Sequence, residues 1–238
     1  APDPARPGSN LTYTITLDAA AMRDVYGQSL SGENTYRFKT IEPEPYPWMQ
    51  PSYDQLIVLD PSAKPTFSVM TQTFGELDVK LYRVRPEDYN RYQTEFVQEY
   101  YAYDWRSKNP VVPGTLVEEK KIKIERPRES TLTTIDLSPA LDQGIGHVVV
   151  VVEPVDQPPD AYYRNATSAW IQSTRLGLTV AADREQAIAW VTSLTDGSAK
   201  KGVMVGYESA TTPIATNDDG LATLGLDGTI LIAREGND

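Results

Sequence analysis

His147 is the only imidazole of the chain and cysteine is absent, so general-base chemistry near neutral pH has one candidate and thiolate chemistry has none. Two-histidine zinc sites, thiolate-bound zinc or iron–sulfur clusters, and disulfides are excluded together. His147 lies in Gly146-His147-Val148-Val149-Val150, so a Ser-His-Asp arrangement would have to draw its serine and its acid from distant loops, and no Gly-x-Ser-x-Gly elbow marks the serine. It reads as a structural or surface histidine at a strand start.

Three other groups have residue types suited to chemistry. Thr216-Asn217-Asp218-Asp219-Gly220 clusters carboxylates beside a glycine, as a hard cation requires, but the acids are adjacent and no glutamate closes a twelve-residue loop. A hairpin turn is the simpler reading. Tyr89, Tyr92, Phe96, Tyr100 and Tyr103 recur at steps of three and four, which suits a stacking platform for sugars or, more simply, one helix face packed on a sheet. Acid pairs such as Asp54 with Asp60 could serve glycosidic chemistry only at a separation that sequence does not supply. The sequons Asn10-Leu11-Thr12 and Asn165-Ala166-Thr167 matter only in a glycosylating host. No catalytic, cofactor-binding or metal-ligating residue is assigned, no cofactor is expected, and the chain is not expected to be an enzyme.

The elements that would hold these residues are mostly strands. Thr12 to Leu17 and Tyr36 to Lys39 alternate apolar and polar residues. Glu42-Pro43-Glu44-Pro45-Tyr46-Pro47 cannot donate a full ladder and predicts a linker. From Lys64, Phe67, Val69 and Thr71 share one face, a turn falls at Phe74-Gly75-Glu76, and Leu77, Val79 and Leu81 share the next, a hairpin pattern. Pro86-Glu87-Asp88 opens the aromatic helix, expected over 87–105. Strands are expected again at 121–124, 131–137, 148–152 and 169–171. Asp196-Gly197, Asp219-Gly220 and Asp227-Gly228 then read as tight hairpin turns between strands at 187–194, 202–207, 213–216, 221–226 and 229–233. The expected fold is all-β, with tandem immunoglobulin-like sandwiches and one helical insertion in the middle module. The expected division is a partial module at 1–41, a linker at 42–63, and sandwiches at 64–173 and 174–238.

With 22 basic against 33 acidic residues the net charge is −11, which repels a phosphate backbone, so no nucleic-acid partner is expected. The longest aliphatic run, Val148 to Val152, is far short of the ~20 residues that cross a bilayer. The start, Ala1-Pro2-Asp3-Pro4-Ala5-Arg6-Pro7, has no charged and apolar leader and reads as a mature start or a piece of a longer chain.

Four stretches taken in order resemble the N-terminal part of bacterial alpha-2-macroglobulin-like proteins. They are Asp136 to Leu141 with Gly144 to Val150, then Trp170 to Leu178, then Trp190 to Gly197, then Thr216 to Ala222. The resemblance covers about residues 64–238, and residues 10–41, with Asp24 to Gln28 and Phe38-Lys39-Thr40, are similar to the closing strands of an Ig-like module. It implies macroglobulin-type sandwiches serving as scaffold in a periplasmic or cell-surface protein that entraps proteases, with those proteases and further macroglobulin domains of the same chain as partners. The family's thioester needs a cysteine, which this chain lacks, and no bait-like segment is recognisable. The alternative is an Ig-like adhesin or glycan-binding module in which Tyr89, Tyr92 and Tyr163 stack on sugars.

Overall fold

The computed structural model describes residues 11–19, 21–29, 31–40, 47–51, 55–125, 129–158, 161–209, 212–236 and 238, and the chain divides into two compact units, 1–46 and 47–238. The first unit contains one antiparallel pair, β1 (Thr12–Thr16) and β2 (Thr35–Lys39), in which Tyr13 lies opposite Phe38 with ring centroids 5.5 Å apart. Between them the Asp24 carboxylate accepts the Tyr26 and Gln28 amides at 2.8 and 2.9 Å, closing the turn at Gly27. None of this unit's described residues is buried.

In the second unit, alternation becomes packing. A five-stranded sheet runs in the order β4 (Gln55–Leu59), β10 (Thr167–Ser173), β9 (Gly146–Pro154), β6 (Glu76–Val84), β7 (Thr115–Lys123). A three-stranded sheet, β3 (Trp48–Gln50), β5 (Thr66–Gln72), β8 (Thr131–Asp136), covers its inner face. Phe67, Val69 and Ile135 meet Leu77, Val79 and Leu81 across that interface. The valine run sits in the central strand β9, covered on both sides. Val148, Val150 and Val152 enter the sandwich core, while Val149 and Val151 point outward beneath the aromatic helix. A strand covered on both faces reads as a continuous apolar run.

The helical segment over 86–100 is a 3₁₀ turn, Pro86–Asp88, an α-turn, Tyr89–Arg91, a π-helical stretch, Tyr92–Val97, and an α-turn, Gln98–Tyr100. Proline at the first helical position and the Asp88 carboxylate accepting the Arg85 amide at 3.0 Å start it. Tyr92, Phe96 and Tyr100 are buried against Val149, Val151 and Trp170, so the stripe packs the helix onto the sheet. The segment ends at Tyr100, short of the expected 105; Trp105–Ser107 is a separate 3₁₀ turn, and Tyr103 is exposed.

Two residues, Thr174 and Arg175, separate β10 from β11 (Leu176–Ala182), which begins a second pair of sheets. β11, β12 (Ala187–Ser193) and β15 (Leu221–Leu224) form one, and β14 (Ile214–Ala215), β13 (Met204–Tyr207) and β16 (Leu231–Arg234) the other. Leu176, Ala189, Val191, Val203, Val205, Ala222 and Leu224 make a core separate from the other two clusters.

Three expectations need correction. The linker expected over 42–63 contains β3 and β4, which pair with β5 and β10; prolines flank these strands without preventing pairing between them. Residues 41–46 and Asp54 lie outside the described residues. The hairpin expected from β5 to β6 is an arch, because β5 pairs with β3 and β8 whereas β6 pairs with β7 and β9. Both apolar sets face one core from opposite sheets, and Thr73, at φ 71°, turns the chain between them. Asp196-Gly197 does close a short antiparallel pair, Thr192 opposite Ala199 with the Ser193 amide donating to Ser198 O at 2.8 Å, before the chain crosses to β13; Asp219-Gly220 and Asp227-Gly228 do not join paired strands, because the elements flanking each lie in different sheets. β11 was not expected as a strand. Gly177 interrupts its pattern and its last four side chains are exposed, which removes the alternation signal.

Candidate functional site

His147 is the second residue of β9, opposite Val84 on β6 and Gln172 on β10. Trp170 Nε1 donates to His147 Nδ1 at 3.3 Å, which leaves the ring proton of the neutral imidazole on Nε2. Burial pushes its pKa below the ordinary value, the Asp238 and Glu87 carboxylates oppose that shift, and the Arg234 guanidinium adds to it. No serine or carboxylate hydrogen-bonds to the ring among the described residues. The ring accepts the Trp170 indole N–H and forms no triad among the described residues.

His147 also borders a crevice of about 390 Å³ between the two sandwiches. Its apolar wall comes from Leu56 on β4, Trp170 on β10, Leu176 and Leu178 on β11, and Ile230 with Leu231 to Ala233 of β16, and its polar lining includes Gln172 and Asp238. Arg234, which also lines it, pairs with Glu87. The Asp238 carboxylate accepts the Thr174 hydroxyl and, at 2.7 Å, the Arg175 amide, fastening the far end of the second sandwich to the two-residue junction. Sequence reasoning missed this crevice, although Gln55-Leu56-Ile57-Val58-Leu59, five uncharged residues that form a sheet edge, was a readable signal.

The carboxylate cluster at 216–220 is a turn. Asn217 Oδ1 accepts the Asp219 and Leu221 amides at 3.0 and 2.9 Å, Gly220 has φ +75°, and Asp218 pairs with Lys201 at 2.5 Å. Buried Thr216 accepts the Val203 amide at 3.0 Å and donates to Lys200 O, tying the turn to the core. Among the described residues no group of three or more His, Cys, Asp or Glu could hold a metal. Asp60 accepts the Ser62 amide at 2.8 Å, which holds its carboxyl below the usual range; its suggested partner Asp54 is not described. Asn165 is half-buried and its backbone is bonded on both sides by the Gln157 amide, whereas the sequon at Asn10 lies outside the described residues.

Of the tyrosines considered for sugar stacking, Tyr92 is fully buried with its hydroxyl donating to Ser168 at 3.0 Å. Tyr89 packs edge-on against Trp170 at 5.1 Å. Tyr163 is exposed, beside Tyr162 at 4.7 Å, and Tyr162 is 4.6 Å from Tyr103. Tyr89 and Tyr92 stand 6.4 Å apart on the helix, and Tyr163 groups instead with Tyr162 and Tyr103. Tyr100, whose hydroxyl donates to Glu153 at 3.2 Å, has a pKa raised well above the ordinary value, first by burial and then by that carboxylate.

The architecture is thus a tandem of Ig-like β-sandwiches with a helix packed on one outer face. No protein-family model matches the chain, and no curated protein does. Among solved structures it is similar to native alpha-2-macroglobulin from Escherichia coli spanning domains NIE-MG1, at 20% identity and TM-score 0.58, over 82% of this chain and 95% of that one. A structure of the same protein spanning domains MG0-NIE-MG1 aligns at 16% identity and TM-score 0.55, over 97% of this chain and 74% of that one. The cryo-EM reconstruction of its native conformation covers 98% of this chain but only 14% of its own length, at 16% identity and TM-score 0.55. The likeness is one of fold, and the fold is that of the macroglobulin-type sandwich.

Proposed function

We propose that this chain is a non-catalytic scaffold segment of a bacterial alpha-2-macroglobulin-like protease inhibitor, acting outside the cytoplasm in the periplasm or at the cell surface. The observation that carries the reading is the alignment of 97% of the chain with 74% of a structure of such a protein that spans domains MG0-NIE-MG1. Its partners are further macroglobulin domains of the same chain and, through the whole molecule, the endopeptidases that molecule entraps. The modular division that accompanies it is a partial Ig-like module to residue 41, a sandwich ending at Ser173 that takes in β3 and β4, and a sandwich from Thr174 to Asp238. A scaffold needs sandwiches joined by short connections, whose relative positions shift when a distant segment is cut. Catalysis is no part of that role.

The test uses the intact protein that carries this segment, incubated with an excess of trypsin-like or subtilisin-like protease. The expected result is a trapped enzyme that still cleaves a small chromogenic peptide but no longer digests a large protein substrate. Equal loss of both activities, or loss of neither, overturns the reading. Screening this chain alone against esterase, glycosidase and peptidase substrates should show no turnover; turnover abolished by His147→Ala would identify an enzyme instead.

A further inference from the structure

The two edges of the five-stranded sheet differ in kind. At one end, β7 presents Glu118, Glu119, Lys120 and Lys121, the charges that ordinarily keep an edge from pairing with other chains. At the other, β4 presents Gln55-Leu56-Ile57-Val58-Leu59 without a charge, and no strand among the described residues pairs with its outer side. β4 is parallel to β10, with Leu59 level with Ser173, and Leu59 O accepts the Thr174 amide. In a parallel ladder a residue that bonds one neighbour directs both its N–H and C=O there, and the next residue directs both the opposite way. Ile57 and Leu59 therefore bond to β10, and Leu56 and Val58 turn their amides and carbonyls to the open side. Their side chains, 56% and 52% exposed, stand on the same sheet face as Trp170 and Gln172.

That face leads into the crevice, which Leu56 borders. Beside the apolar wall, His147 Nε2 and the Gln172 side-chain amide make no hydrogen bond among the described residues. Asp60 follows β4 directly and Asp238 lines the crevice; Arg234, the cation lining it, is paired with Glu87, and Arg175 is close to Asp60 and Asp238. Three carboxylates, Asp60, Glu87 and Asp238, against two guanidiniums, Arg175 and Arg234, leave the surroundings negative by one charge. We propose that the β4 edge and the crevice form one docking site for an extended peptide segment, which adds as a sixth strand through Leu56 and Val58. Its alternate side chains are apolar, one entering the crevice, and its flanks are basic. Main-chain bonds provide the affinity and the crevice selects the side chain, as in other strand-addition sites.

The test is amide exchange on the full chain with a panel of N-acetylated, C-amidated octapeptides alternating threonine with valine or leucine and flanked by lysine, beside a matched panel flanked by glutamate. Lysine-flanked peptides should slow exchange at Leu56 and Val58 by about tenfold or more at saturation and shift the Trp170 indole signal. The Ile57 and Leu59 amides, already bonded to β10, should not change, and the glutamate-flanked peptides should bind more weakly at low salt. Val58→Lys should abolish binding with the rest of the spectrum unchanged, and Val58→Thr should retain it. The proposal is overturned if no lysine-flanked peptide binds with Kd below about 1 mM, if binding leaves Leu56 and Val58 unprotected, or if it survives Val58→Lys. Protection of those two amides that grows with protein concentration in the absence of peptide also overturns it, since a second copy then occupies the edge.

Discussion

Gly220 and Gly197 have nearly the same backbone conformation, φ +75° and +73°, but different surroundings. A Cβ at Gly197 would meet nothing within 4 Å, whereas at Gly220 it would stand 2.5 Å from Val191 O and 3.1 Å from Lys200 N. Those two atoms are the ends of one backbone bond, Lys200 N to Val191 O at 3.0 Å, and Val191 is tied to Gly220 by a second, Val191 N to Gly220 O at 2.8 Å. Alanine in the left-handed region costs about 1 kcal/mol at either site. At Gly220 the carbonyl must also move, and weakening one or both bonds adds about 0.5–1.5 kcal/mol each. Gly220→Ala should therefore cost about 2–4 kcal/mol and Gly197→Ala about 1 kcal/mol. Native-state amide exchange at Val191 and Val205, both buried in that core, reads the loss directly, each factor of ten in exchange rate corresponding to about 1.4 kcal/mol. Equal acceleration in the two variants would refute the steric argument and leave only backbone strain.

Lowering the pH should destabilise the second unit through His147: its pKa is depressed in the fold, so the unfolded chain takes up a proton first and stability falls as pH drops below about 6.5. His147→Gln should flatten the stability–pH curve below about pH 6.5, as measured by urea unfolding; an unchanged slope would show that the ring is not held neutral. At alkaline pH the sign reverses for Tyr100, whose raised pKa makes stability decline above about pH 10 as the unfolded phenol ionises, and Tyr100→Phe should reduce that decline, the remainder coming from half-buried Tyr82, whose pKa is also raised. Tyr92→Ala should cost about 3–5 kcal/mol by opening a cavity between helix and sheet, and Tyr92→Phe about 1 kcal/mol through the lost bond to Ser168; equal losses would mean that packing is not what holds the helix. A peptide of residues 1–46 should not fold, because β1 and β2 bury no described residue. Protection of Ile15 and Phe38 as strong as that of Val149 and Val150 would disprove this.

Alternation was the most legible signal. It located β1, β2, β5, β6, β8 and most strands of the last sandwich, because a half-buried strand must place apolar residues at every second position. The valine run of β9 was legible as buried but not as doubly covered. That second cover is the aromatic helix, and its stripe at 89–100 becomes intelligible only when Val149, Val151 and Trp170 are seen beneath it. Pairing was much less legible than the strands themselves. An arch and a hairpin both bury Phe67, Val69 and Leu77, Val79, Leu81, and they differ only in which sheet each strand joins, which local sequence does not record.

Glycine chemistry misled in the same way. Asp-Gly at 196–197 and 219–220 does supply positive φ, but only the first closes a local antiparallel pair, Thr192 with Ala199, whereas the second carries the chain from one sheet to the other. Gly228 does not adopt positive φ; a Cβ there would collide with the Tyr207 ring at 2.5 Å. The motif at 216–220 was recognised as a turn, yet its logic lies in contacts far along the chain: Thr216 with Lys200 and Val203, and Gly220 with Val191. The crevice was the least legible, since its walls come from β4, β10, β11 and β16. Leu56 and Leu178 stand more than a hundred residues apart, and each alone is an ordinary strand leucine. What makes them a site is the two-residue junction at Thr174 and Arg175, fastened by Asp238, which sets the second sandwich beside the uncharged edge of the first. A change in that junction should therefore alter the crevice before it disturbs either core.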